Sequence, residues 1–163
     1  MTTLLEPGPG DLPALLALSN AHDEEIGRFT NEAFAELIAV SFRTRMTQAR
    51  DAFLIALSER APHDAPNWRW FATRFPHFIY IDRVVVAEGS RRHGLARLLY
   101  ADLMEAALRA GYVRLCCEVN IDPPNPGSDA FHAQMGFEEV GRAHLPGRGK
   151  TVRYLMRDLT TVS

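Results

Sequence analysis

The chain has 163 residues, 47% of them hydrophobic and 23% charged, with a formal net charge of −2. That is chain enough for one domain, spanning 1–163, around one core. The balance gives no electrostatic case for a nucleic-acid partner or an acidic membrane. No apolar run approaches the ~20 residues that cross a bilayer. No basic segment followed by an apolar run marks a secretory signal, so a cytoplasmic location is the default expectation. The two cysteines, Cys116 and Cys117, are adjacent. They read as thiols on a strand rather than a staple or a metal site, and no metal is expected.

In chain order, Thr2 to Glu6 reads as a first strand. Asp11 can cap a helix running to about His22, with Leu12, Leu15, Leu16 and Leu18 as its apolar content. Thr30 or Asn31 can cap a second helix containing Phe34, Leu37 and Ile38. Phe42 to Gln48 and Ala52 to Ser58 form a hairpin pattern across Ala49, Arg50 and Asp51. A proline-containing loop follows, then Trp68, Trp70, Phe71 and Phe75 as an aromatic cluster in a loop-like segment. Phe78 to Val86 is rich in β-branched and aromatic residues, as a strand should be. Gly89 to Ala96 is a basic glycine turn, and Leu95, Leu98, Leu99, Leu103, Ala106 and Ala107 recur on one face of a helix beyond it. Gly111 ends that helix, and Tyr112 to Val119 is strand-like. Pro123, Pro124 and Pro126 work against a regular element. A short helix over Ser128 to Met135 and a final antiparallel pair, Phe137 to His144 and Thr151 to Leu159, complete the pattern. Strands and helices mix without strict alternation, which points to an α+β chain with a mixed sheet and helices on its faces.

The strand, glycine turn and helix from Phe78 to Leu108 carry the chemistry. A helix N-terminus offers unpaired N–H groups and partial positive charge, and a glycine there lets a phosphate come close. Neither a Gly-x-x-x-x-Gly-Lys-Ser/Thr loop nor a Gly-x-Gly-x-x-Gly turn is present. What stands there is Arg91-x-x-Gly94-x-Ala96, followed later by Asn125-Pro-Gly-Ser128-x-x-x-His132-x-x-x-Gly136-Phe137. The first resembles the Arg/Gln-x-x-Gly-x-Gly/Ala signature of the GNAT superfamily of acetyl-CoA-dependent N-acyltransferases. The second resembles that family's Asn-x-x-Ala to Tyr-x-x-x-Gly-Phe segment, in the family's order. Gly136 also fits a helix C-cap.

The resemblance implies a central, mostly antiparallel sheet of about seven strands with about four helices. The sheet would be split between the strand before the loop and the strand after its helix, to hold the pantetheine arm. It implies acetyl-CoA as co-substrate. Val84, Val85 and Val86 would pair with the arm and polarise the thioester carbonyl through backbone N–H groups. The turn residues Arg91, Arg92, His93, Gly94, Leu95 and Ala96 would hold the pyrophosphate, with Asn125, Ser128 and Phe131 beside the cofactor. It also implies a primary amine of a small molecule, amino acid or peptide as acceptor, attacking directly in a ternary complex. A homodimer stays open.

Acyl transfer needs a proton acceptor for the amine and support for the thiolate. His132 stands where many family members carry the tyrosine that protonates the thiolate, and an imidazole titrates near neutrality. Its other reading is a polar helix residue bonded to a neighbour. Asp82 shares strand parity with Val84 and Val86 and is a candidate base; alternatively it pairs with an arginine such as Arg153. Glu118 is the second candidate base. Asn120 alternates with it, so both face one way, and Asn120 either binds a ligand or caps a turn. His22, Asp23, Glu24 and Glu25 form an acidic patch that either attracts an ammonium or ends a helix in solvent. Trp68, Trp70 and Phe71 either line an acceptor pocket or close the core. A catalytically silent coenzyme A module on the same fold is the alternative function, and an unrelated phosphate-binding domain a weaker one.

Overall fold

Strands form where the β-branched and aromatic residues lie, and all seven join one sheet. The computed structural model describes residues 2–22 and 29–160. The strands are β1 (Leu4–Leu5), β2 (Arg43–Thr47), β3 (Ala52–Ser58), β4 (Ile79–Val86), β5 (Arg114–Asp122), β6 (Glu138–Leu145) and β7 (Lys150–Asp158). Their order across the sheet is β1-β2-β3-β4-β5-β7-β6. Every neighbouring pair is antiparallel except β4 and β5. Five helices are described: α1 (Leu12–Asn20), α2 (Asn31–Ala39), α3 (Pro66–Ala72), α4 (Leu95–Arg109) and α5 (Pro126–Gln134). This is the α+β, GNAT-like architecture expected, with one helix more than anticipated. No described helix is long and apolar enough to cross a membrane.

Each face of the sheet buries its own core. On one, Leu15 of α1, Phe34 of α2 and Phe71 of α3 pack on Phe53, Ile55, Tyr80 and Tyr154. On the other, Leu99, Tyr100 and Leu103 of α4 pack on Leu54, Ile79, Ile81, Cys117 and Leu155. The period-2 alternation along the strands sends successive side chains to opposite cores.

Local signals account for most element ends. Thr30 caps α2 by accepting from the Ala33 N–H at 3.2 Å, and Asn125 caps α5 by accepting from the Ser128 N–H at 3.3 Å. Gly136 closes α5 at φ +85°. Asp11 precedes α1, but its carboxylate does not cap that helix. Its Oδ2 accepts from the Gly8 N–H at 2.8 Å and its Oδ1 meets Arg50. The aromatic segment expected to be loop-like is α3. Pro66 opens it in the first turn, where a missing N–H costs nothing, and Trp68 and Phe71 turn onto the sheet. Pro126 likewise starts α5 two residues earlier than expected.

The feature that positions the site is a bulge in β4. Ile55 sits opposite Arg83 and Ala56 opposite Ile81, so Asp82 is an extra residue with no partner on β3. The bulge resets the side-chain parity. Ile79 and Ile81 share a core with Val84 and Val86, and Asp82 does not keep step with the valines as a uniform alternation predicts. Just there β4 parts from β5: the two strands pair only at Ile79 with Leu115 and Tyr80 with Cys116.

Candidate active site

The parting of β4 and β5 opens a cleft of about 800 Å³. At one end stands the turn into α4. Arg92 has φ +69° and Gly94 φ +74°, two left-handed residues that bend the chain sharply just before the helix. Gly94 is the N-cap of α4, and a Cβ added there would meet nothing within 4 Å, so the space above it is open to a ligand. Arg91, Arg92 and Arg97 line this end with Gly94, Leu95 and Ala96. His93 does not line the cleft and is exposed. Arg91 donates to His22 Nε2 at 3.0 Å, which ties the end of α1 to the turn.

Along the cleft, Val84, Val85 and Val86 present the β4 backbone on the side that β5 has left. Asn125, Ser128 and Phe131 of the α5 segment form the facing wall. A helix N-terminus with an open glycine, three arginines and a strand edge leading inward fit coenzyme A: pyrophosphate at the turn, pantetheine along β4. Among the described residues no group of three or more His, Cys, Asp or Glu is placed to hold a metal ion.

The inner end holds the titratable groups. Glu118 on β5 is half-buried and lines the cleft. Tyr80 donates its hydroxyl to Glu118 Oε1 at 2.5 Å. Burial pushes the Glu118 carboxyl from its ordinary 4.5 up to about 7. The Tyr80 hydrogen bond opposes that rise, and the nearby Asp82 charge reinforces it. Asp82 lies 3.2 Å from Arg83 Nε and 3.7 Å from His63 Nε2. The alternative partner considered for it, Arg153, instead meets Asp129 at 3.2 Å and Glu139 at 2.6 Å. Arg83 is itself buried, donates to Ser19 Oγ at 2.7 Å and lies 4.1 Å over the Phe29 ring. Asn120 lines the cleft with Glu118, as their alternation predicts.

His132 is 4% exposed and lies beside Ser128 and Phe131 in the cleft wall. Its Nδ1 is 2.8 Å from the Ser128 carbonyl and its Nε2 2.7 Å from the Tyr100 hydroxyl. Burial holds its pKa below the ordinary histidine value. Trp70 is not in the cleft lining. It stacks on Tyr154 with centroids 4.2 Å apart and lies against Gly141. Glu24, with Asp23 and Glu25, lies outside the described residues. Sequence reasoning missed Tyr80, Tyr100, Arg83 and Ser19. The signal for Tyr100 was present: a phenol inside the apolar stripe of α4 needs a polar partner when buried.

The sequence matches the acetyltransferase (GNAT) family model over residues 57–137. No curated protein matches it. Among solved structures, the ribosomal-protein-alanine N-acetyltransferase of Brucella melitensis is similar at 20% identity and a TM-score of 0.71, covering 96% of this chain and 99% of that one. NAA60 of Arabidopsis thaliana, solved with a bisubstrate analogue, is similar at 15% identity and a TM-score of 0.75, covering 97% and 98%. The yncA protein of Salmonella typhimurium, solved with its cofactor acetyl-CoA, is similar at 14% identity and a TM-score of 0.71, covering 100% and 96%. At such identities the likeness is one of fold, and it runs the length of the chain. The family match spans the β3-to-α5 segment that builds the cleft, and the chain belongs to the GNAT acetyltransferase family.

Proposed function

We propose that the protein transfers an acetyl group from acetyl-CoA to a primary amine by direct attack in a ternary complex. The observation that carries this is Glu118: a carboxylate with a pKa of about 7 at the inner end of the cleft that begins at the Gly94 turn. A base poised near neutrality is what an ammonium acceptor requires. Acetyl-CoA would supply the activated acyl group. Glu118 takes the proton from the amine, directly or through a water, as the N–C bond forms. Backbone N–H groups of Val84 to Val86 polarise the thioester oxygen, and the C–S electron pair leaves on sulfur. Asp82 acts on Glu118 through its charge, and Asn120 orients the acceptor. Alignment of amine and thioester in the cleft supplies much of the remaining acceleration.

The acceptor is an amine on a small molecule, amino acid or peptide. The neighbour named for ribosomal-protein alanine favours screening alanine-bearing peptides first. The test is calorimetric titration with acetyl-CoA and with a dephospho analogue, followed by an amine panel read by thiol release. Binding that weakens without the phosphate, with turnover rising through pH ~7, is the expected outcome. Binding without turnover across the panel would favour the silent coenzyme A module, and no binding would refute the reading.

A further inference from the structure

We propose that Tyr100, from the helix behind the glycine turn, is the group that stabilises the departing thiolate, and that His132 positions it. The proposal rests on the acetyltransferase reading and adds a residue that lies outside both sequence signatures.

The protons on His132 are fixed by the chemistry of its partners. A carbonyl oxygen only accepts, so the Nδ1 atom 2.8 Å from the Ser128 carbonyl carries the ring hydrogen. His132 is 4% exposed, and burial favours its neutral form. The remaining nitrogen, Nε2, is then a bare lone pair. The Tyr100 hydroxyl, 2.7 Å away, donates to it. His132 therefore has no proton to offer at Nε2; the hydrogen between the two side chains belongs to Tyr100.

Tyr100 is fully buried and forms part of the cleft floor, next to Leu95 and Ala96 of its own helix and to Phe131 and His132 of α5. Ring contacts fix it on three sides: Phe131 at 5.0 Å, His132 at 5.5 Å and Phe137 at 5.9 Å. Burial is what chiefly opposes ionisation of the phenol, and the charge of Glu118 on β5 adds to it; Cys117, the other titratable group facing it, is a buried neutral thiol. Asp129 is the charged group felt by His132. Held so, Tyr100 stays protonated through the reaction. Its hydroxyl turns from the neutral imidazole to the better acceptor when a negative sulfur arrives, because hydrogen bonds to ions are about twice as strong. No proton changes hands in that step. The C–S pair resides on sulfur, the phenol donates a hydrogen bond to it, and water later supplies the proton that makes the free thiol.

The experiment titrates the thiol of coenzyme A bound to the protein, followed by thiolate ultraviolet absorbance, with desulfo-coenzyme A as the blank. In the wild type the bound thiol should ionise about one pKa unit lower than free coenzyme A, since a hydrogen bond to the charged form favours it. Tyr100→Phe should return it to the free value. His132→Phe should remove part of the shift, and His132→Gln, which restores a carbonyl acceptor, should recover it. In the free wild-type protein, nitrogen-15 NMR should show His132 protonated at Nδ1. Coenzyme A binding with an unshifted thiol in the wild type, an Nε2-protonated His132, or a shift retained in Tyr100→Phe would each overturn the proposal while leaving the acetyltransferase reading intact. Absence of coenzyme A binding would overturn both.

Discussion

Replacing Glu118 by glutamine should make the protein more stable and less active at once. The carboxyl's rise from 4.5 to about 7 corresponds to about 3.4 kcal/mol at 1.36 kcal/mol per unit. Glu118 is half-buried beside an open cleft, and water there reduces the effective penalty to about 1–2 kcal/mol. The sign follows from linkage. A carboxyl whose pKa is higher in the folded state favours folding when protonated. Its contribution is fully present below pH ~4.5 and is lost as pH rises through about 7. At pH 8 the native protein therefore carries a half-buried, ionised carboxylate at a net cost. Glu118→Gln keeps an oxygen to accept from Tyr80 and removes the charge. The melting temperature at pH 8 should rise by about 3–6 °C for a chain of this size, with little change at pH 4.5. Acetyl transfer should fall by about 10²–10⁴-fold, and the limb near pH 7 should vanish from any residual activity. Thermal scans at both pH values, run beside thiol-release assays, decide it. A variant that melts lower at pH 8, or that keeps the wild-type rate and profile, would refute the assignment of Glu118 as a strained base.

Three further substitutions probe the rest of the cleft. Asp82→Asn removes a negative charge that helps to raise Glu118, so the kinetic pKa should move below about 7; a profile that moves upward contradicts the electrostatic account. Gly94→Glu puts bulk and negative charge where the pyrophosphate would sit, at φ +74°; the left-handed strain should cost about 1–2 kcal/mol and coenzyme A binding should disappear. Gly94→Asn tolerates that backbone and should keep far more affinity, so equal loss in both variants would count against the turn as the phosphate site. Gly141→Ala would place a Cβ 2.4 Å from the Trp70 ring, which is backed by Tyr154. Urea unfolding should show a loss of about 1–3 kcal/mol, with cofactor affinity unchanged; an effect on coenzyme A binding would return Trp70 to the cleft.

What the sequence shows well is what local physics settles. The glycine turn, the α4 stripe and the Thr30 cap are each written within a few neighbouring residues, and each appears in the fold where the residues place it. What it hides depends on partners distant in the chain. Trp70 meets Tyr154, and Tyr100 meets His132, across separations that no periodicity reports. A helix rich in tryptophan and phenylalanine looks like a loop or a strand until Pro66 is read as its first turn.

The bulge in β4 is the sharpest case, because one residue defeats a correct rule. Alternation along Tyr80 to Val86 is a sound inference for a regular strand. No glycine or proline within Ile79–Val86 signals that the strand is irregular. The extra residue at Asp82 is visible only against β3, in the jump from Ile55 to Ala56. A bulge twists and bends its strand, and β4 leaves β5 just past Tyr80. The irregularity that misleads a period-2 reading of Asp82 therefore sits where the cleft opens. Beyond it the Val84–Val86 backbone faces a gap instead of a strand. Restoring the regular register by deleting Asp82 should close that gap, and loss of coenzyme A affinity in a variant that still folds is the result this reasoning demands.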